Sequence, residues 1–465
     1  MLKNNFLPEE SRNSKKSTWI PLVFVLLFFV MAMMSRLAYQ ARSGNFRIEP
    51  PAVMSGDEPH YLIVVNSLLF DHDLKLQDDY ARVRQGGLEA GRRIARRNLD
   101  HHTFLVDTRT KDHALWGNIF DRRFPEACGT QNCSGFRRKS TQFSETSFVV
   151  ERSCHPVAFP AILAALLAPT FPQIFQVEGR VSWIIVIFSW GTLLVTYLIA
   201  RRAGLSPPVS ILAVLLLFLA SPWLAYSRSY FSEPLIGFLL ILGLWAMQRS
   251  RMILAALMVI LAMAIKPPFA LVGLGWIAER LMARQFRQAF TLMGLLLLGG
   301  AALMGFNYWQ VGIPIVGGNA SFDQMWKLPN PFPTLLDYKF GLFIFVPWAL
   351  LSWVGMFLSF KKSSEQNTLL RQMAFPTFLF WFLLSFYFSL GASAFGPRFW
   401  VPWLPWFALA AILMAQKFGR KFLWIMVPLA LAGFLVAVPG AVIYPNSWDN
   451  PPHFALKKLM TTILR

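Results

Sequence analysis

The chain has 465 residues, of which 55% are hydrophobic and only 15% charged, with 43 Phe and 17 Trp. A soluble protein carries about a quarter charged residues, and apolar runs near twenty residues recur, so the composition excludes a soluble enzyme and implies a polytopic helical membrane protein. The net charge of +20 would suggest nucleic acid in a soluble chain; here much of the excess sits in short loops between apolar segments, as the positive-inside rule requires. No nucleic-acid partner is expected, whereas membrane lipids with anionic headgroups are.

Residues 1–18 read as a cytoplasmic N-terminus carrying Lys3, Arg12, Lys15 and Lys16. Residues 19–38 read as a retained signal-anchor transmembrane helix, since no small-residue cleavage site follows. The basic flank sends this helix outward, which makes residues 39–155 a long extracytoplasmic loop. It contains Asp71, Asp73, Asp78, Asp79 and the cluster Arg92, Arg93, Arg96 and Arg97, and is long enough for a small folded subdomain. Its cysteines, Cys128, Cys133 and Cys154, allow one disulfide and a leftover thiol. Zinc held with His155 is the weaker option, because the spacing matches no standard finger.

Near the start of this loop stands Ser55-Gly56-Asp57-Glu58-Pro59-His60-Tyr61. Adjacent carboxylates, an imidazole and a phenol at a membrane surface can orient a sugar, hold a metal ion or accept a proton. The same residues also make a helix start, with Ser55, Gly56 or Asp57 as N-cap and Glu58 and Pro59 in the first turn. The two readings are compatible.

Residues 156–172 are apolar but short, with Pro156, Pro160, Pro169 and Pro172. A full crossing here would place Arg201-Arg202, Arg249 with Arg251, Arg280 with Arg284 and Arg287, Lys361-Lys362, and Lys417 with Arg420 and Lys421 outside. An interfacial or re-entrant helix places all of them inside, and the positive-inside rule selects that arrangement. The remaining spans form a transmembrane bundle over residues 181–444, making about eleven crossings in all, with residues 445–465 as an extracytoplasmic tail. The segments between residues 235 and 277 are short and interrupted by Lys266-Pro267-Pro268.

This topology gathers polar groups on the outer face: Asp57 and Glu58, His155, residues 226–233, Lys266 and Gly396-Pro397-Arg398. Unpaired ionisable groups near hydrocarbon cost several kcal/mol, so each needs a partner or a purpose. Arg228 has either Glu233, five residues on, or a phosphate to meet its planar fork. Lys266 either snorkels to headgroups or serves as a second phosphate cation. Arg398, held by a tight turn at the top of an aromatic helix, is a natural clamp for a lipid phosphate. His155 either caps the helix that follows it or stands beside Asp57.

The order of these motifs resembles the GT-C superfamily of membrane glycosyltransferases. Asp57-Glu58-Pro59-His60-Tyr61 fits the D-E-x-x-Y form of the branch that contains the lipid A aminoarabinose transferase and the protein O-mannosyltransferases. His155-Pro156 is similar to that branch's His-Pro or Lys-Pro helix, residues 226–233 to its segment after a Ser-Pro break, and residues 391–398 to a Gly-rich turn ending in Arg. The basic, cysteine-containing first loop and the short C-terminal tail depart from better-known members.

The resemblance implies an all-α polytopic membrane protein with a GT-C-type bundle of about eleven transmembrane helices, interfacial helices and a long first loop. It implies transfer of a sugar from a polyprenyl-phosphate donor to an acceptor hydroxyl on a glycan, lipid or protein, in a bacterial inner membrane with the site extracytoplasmic. Asp57, with Glu58, carries over as catalytic; His60, Tyr61, His155, Arg228, Glu233, Lys266 and Arg398 are expected to bind substrate. The cofactor stays open: some members use a divalent metal, which Asp57 would hold here, and others do not. The rival readings are a transporter or flippase of lipid-linked sugars, and a polysaccharide ligase or polymerase using polyprenyl diphosphate. The first would need charges buried along a path through the spans; Arg36 and Glu279 do not line one.

Overall fold

The computed structural model describes residues 19–40, 45–48, 57–84, 103–111, 113–116, 149–170, 176–316, 329–361, 364–387, 394–444 and 450–463. The N-terminal segment 1–18, Ser55 and Gly56, the Arg92–Arg97 cluster, Cys128, Cys133, Lys362 and residues 391–393 lie outside them.

Helix α1 (Trp19–Arg36) has 18 residues, apolar up to Met34 and closed by Arg36, and is about 27 Å long at 1.5 Å per residue. Strands β1 (Leu37–Gln40) and β2 (Asn45–Ile48) then pair antiparallel. Helix α2 (Glu58–Asn66) is buried along its whole length and ends in a π-helical turn, Ser67–Asp71, stopped by His72 in the left-handed conformation. After α3 (Gln77–Arg84) come β3 (Thr103–Asp107), β4 (His113–Trp116) and β5 (Val149–Ser153), an antiparallel sheet in the order β4-β3-β5. The all-α expectation is corrected here. These strands have only four or five residues each, too little for a period-two signal. The sheet rests on the C-terminal end of the long helix Phe286–Val311: Lys111 Nζ donates to the Trp309 carbonyl at 3.0 Å, and Phe104 and Val106 pack with Val311.

β5 leads directly through Cys154-His155-Pro156 into α4 (Ala158–Leu167). Ten residues rise about 15 Å, half of a hydrocarbon core. The bundle follows: α5 (Val177–Arg202), α6 (Pro207–Leu219), α7 (Glu233–Gln248), α8 (Met252–Ile265), α9 (Ala270–Met282), α10 (Phe286–Val311), α11 (Ala349–Leu358), α12 (Glu365–Leu384), α13 (Leu404–Phe418) and α14 (Arg420–Val442), with α15 (Pro452–Ile463) after it. Among the described residues, five apolar helical stretches of 18 or more residues are long enough to cross a membrane, and shorter apolar helices pack between them. Prolines set where the helices of the bundle break, at Lys266-Pro267-Pro268 as expected and also at Pro222. Pro222 ends α6 and leaves Trp223–Tyr226 as a separate turn. The residue before a proline is driven out of the helical region, so Lys266, ahead of Pro267-Pro268, is extended and divides α8 from α9.

α13 and the 3₁₀ turn before it (Arg398–Trp403) form the axis, 89% buried over their apolar window, whereas α10 is 11% buried. Aromatic side chains fill the axis: Trp403 packs edge-on against Trp406 at 5.1 Å, and Trp406 stacks on Trp276. Leu297, Leu298 and Trp424 instead point outward at 67%, 71% and 81% exposure. Such a surface is tolerable only in lipid, and the chain is an integral membrane protein.

Helices α7, α9 and α13 share a direction. Each begins beside an ionisable residue expected at the site (Glu233, Lys266, Arg398) and ends in a basic cluster (Arg249 with Arg251, Arg280 with Arg284, Lys417). The basic ends are laced together: Arg280 donates to the Met247 carbonyl and Arg202 to that of Gln248, each at 3.3 Å.

Candidate active site

Asp57 occupies the N-cap position of α2, yet its carboxylate does not cap the helix. It reaches instead to Arg398, whose Nη2 donates to Oδ2 at 2.6 Å. The turn before Arg398 makes this possible. Gly396 sits at φ +63, where a Cβ would press within 2.7 Å of the Phe345 ring, so the chain can fold back over Phe345 only with glycine there. Arg398 also donates through Nε to Glu233 Oε1 at 2.7 Å, and the same oxygen accepts from Lys266 Nζ at 2.6 Å. Glu233 opens α7 with Pro234 behind it, and Lys266 is presented by the break between α8 and α9.

The result is a row of alternating charges, Asp57–Arg398–Glu233–Lys266. Its inner members are buried, with side-chain exposures of 4% for Arg398 and 1% for Glu233; its outer members reach solvent, at 23% for Asp57 and 21% for Lys266. Short, charge-assisted contacts of this kind fix geometry. Phe231 lies flat against the Arg398 guanidinium, 4.0 Å from its carbon to the ring centre, a cation–π contact that holds the fork in place.

His155, delivered by β5, stands with Nε2 3.8 Å from Asp57 Oδ1. Burial lowers its pKa from the ordinary value, with the Asp57 carboxylate pulling the other way, so the imidazole is neutral at pH 7. Tyr61 meets His155 edge-on at 5.5 Å, and burial holds its phenol well above the usual range. His60 is one layer further in, its Nδ1 2.6 Å from the Tyr80 hydroxyl. Glu58 points away from Asp57: its Oε1 accepts the backbone N–H of Tyr230 at 2.9 Å, joining α2 to the loop that leads into α7.

Of the residues expected at the site, the structure brings Asp57, His155, Glu233, Lys266 and Arg398 together; His60 and Tyr61, expected to bind substrate, pack beside them, and Glu58, expected to be catalytic with Asp57, is turned toward the Tyr230 N–H. Arg228 stands elsewhere, and neither the ion pair with Glu233 nor a place in the row is formed. Its guanidinium donates to the carbonyls of Ala441, at 2.7 Å, and Leu37, and lies 5.7 Å over the Tyr444 ring. The segment from Ser227 to Ser232 is a chain of turns that aims Arg228 away from Glu233. Phe231, Tyr80 and Tyr230 were missed, since aromatic residues in an aromatic-rich chain give no signal of their own.

Among the described residues no group of three or more His, Cys, Asp or Glu side chains could hold a metal ion. The donors around Asp57 suit one poorly, because Arg398 already neutralises Oδ2 and Glu233 shares Oε1 between two cations. Cys154 is buried behind the site.

No family model and no curated protein matches the sequence. The fold does match the crystal structure of ArnT from Cupriavidus metallidurans bound to undecaprenyl phosphate, with a TM-score of 0.52 over 96% of this chain and 70% of that one, at 12% identity. The chain has the fold of ArnT. At 12% identity the match to ArnT speaks for the backbone, and the chemistry rests on the row of charges.

Proposed function

We propose that the chain transfers a sugar from a polyprenyl-phosphate donor to an acceptor hydroxyl, at the end of the bundle that holds Asp57. By the positive-inside rule, the basic ends of α7, α9 and α13 are cytoplasmic, which makes this end extracytoplasmic. The observation that carries the reading is the open pair of ends on the charge row: a reachable carboxylate at Asp57 and a reachable ammonium at Lys266. A reaction that takes a proton from a neutral hydroxyl and leaves charge on a phosphate needs one of each. ArnT, of the same fold, is bound to undecaprenyl phosphate, which supports a polyprenyl phosphate as the donor lipid.

In this mechanism the acceptor oxygen attacks the anomeric carbon and forms the new glycosidic bond. The bond from that carbon to the phosphate oxygen breaks, and its electron pair leaves with the phosphate. The acceptor proton passes to Asp57 and from there to water. In-line attack inverts the anomeric centre. Lys266 meets the phosphate, while Arg398 aims Asp57 and adds its charge from beneath. His155, neutral, lines the acceptor side without competing for the Asp57 carboxylate.

The test is to offer the purified protein a panel of polyprenyl-phosphate sugars and analyse the products. Asp57→Asn should abolish transfer, a loss of about a thousandfold or more for a general base and orienting group, in a protein that remains folded. Near-normal turnover would remove Asp57 from the chemistry. Movement of the donor across vesicles without any product would favour a flippase.

A further inference from the structure

Glu233 is the member of the row that the mechanism above does not use. It is fully buried, and among the described residues only one of its oxygens is engaged: Oε1 takes both cations, while Oε2 is buried with no hydrogen-bond partner. What it supplies is charge. With it, Asp57, Glu233, Arg398 and Lys266 sum to zero; without it they sum to +1.

That difference matters because the lipid changes charge during transfer. The donor is a phosphodiester with one negative charge, and the spent lipid phosphate is a monoester carrying about −1.5 to −2 at neutral pH. Uncompensated cations would hold the product more tightly than the donor, and turnover would stall on release. We propose that Glu233 is a positioning residue that fixes Lys266 and Arg398 and offsets their charge, so that the lipid phosphate can leave after transfer. This rests on the glycosyl-transfer reading, and it assigns Glu233 a contact with the cations and none with the substrate.

The experiment compares wild type, Glu233→Gln and Glu233→Asp in detergent, titrated with undecaprenyl phosphate at pH 7.5. Glu233→Gln should bind it about tenfold more tightly, equivalent to about 1.4 kcal/mol, and its transfer should show a burst of one turnover followed by a slow steady state. Glu233→Asp keeps the charge on a shorter arm, so its affinity should stay within about twofold of wild type while the rate of the burst falls. A purely structural role would weaken binding in both variants. Equal or weaker binding by Glu233→Gln overturns the proposal. If that variant is not monodisperse, Glu233→Asp decides, and binding more than about tenfold weaker than wild type overturns it. Failure of the wild-type chain to bind undecaprenyl phosphate would remove the functional reading and this inference with it.

Discussion

The two ends of the bundle both bury charge, and they do so in different ways. At the site end, four charges come from positions 57, 398, 233 and 266, joined at 2.6 to 2.7 Å, with both outer members open to solvent. At the basic end, Glu279 and Arg280 are neighbours on α9, 3.4 Å apart and both buried. Arg280 is tied to the Met247 carbonyl, and the amides of Gln248 and Gln372 bond each other nearby. A local pair on one helix, with Arg280 tied to a carbonyl at the end of another, holds helices together. A row drawn from four distant segments, its outer members partly exposed, offers the acid and the cation that the proposed transfer needs.

Substitutions can break this contrast. Arg398→Gln leaves two carboxylates short of a partner and should cost about 3–5 kcal/mol in denaturant unfolding, with loss of transfer. Arg280→Gln also leaves a carboxylate buried and should cost a comparable few kcal/mol, but turnover per folded molecule should be unchanged. Equal loss of turnover from both would erase the distinction between the ends. Lys266→Met sharpens it further. Glu233 keeps Arg398, so stability should fall by less than about 1 kcal/mol, while donor affinity should weaken by about ten- to a hundredfold, the worth of one charged hydrogen bond; an unchanged donor affinity would remove Lys266 from the phosphate. Smaller again is the effect at Glu58, which accepts from a backbone N–H. Glu58→Gln retains an accepting oxygen and should transfer at near the wild-type rate, whereas Glu58→Ala should cost about 1–3 kcal/mol. Inactivity of a folded Glu58→Gln would make Glu58 a reacting group.

Much of this was legible in the sequence, for identifiable reasons. Spans announce themselves by apolar length, and the basic clusters fix their direction, so Asp57, His155, Glu233, Lys266 and Arg398 could be grouped without a single contact being known. Partners could not be read. Arg228 and Arg398 look alike as cations beside aromatic residues, but Gly396 folds one under Asp57, while the turns after Tyr226 aim the other at backbone carbonyls. Likewise Asp57 and Glu58 are adjacent acids, and only the start of α2 sends one to Arg398 and the other to Tyr230. The strands of the first loop escaped because nothing in four residues distinguishes a strand from a polar connection.

The smallest expected effect concerns pH, and it separates the ends by residue type. The histidines are His60, His72, His101, His102, His113, His155 and His453, and none stands in the basic clusters. His155 is held below its ordinary pKa of about 6.5 by burial, so the folded chain resists a proton that the unfolded chain accepts. Above that value neither state is protonated, and the contribution is fully present. As pH falls below it, the unfolded state gains the proton first and stability declines, by at most about 1.4 kcal/mol per pH unit. Unfolding in detergent at pH 7.5, 6.5 and 5.5 should therefore show wild type losing stability more steeply than His155→Asn. Parallel slopes for wild type and His155→Asn would mean that His155 takes up its proton as readily in the fold as outside it. The space beside Asp57 would then have to be open to water, and His155 would no longer be a neutral wall for the acceptor.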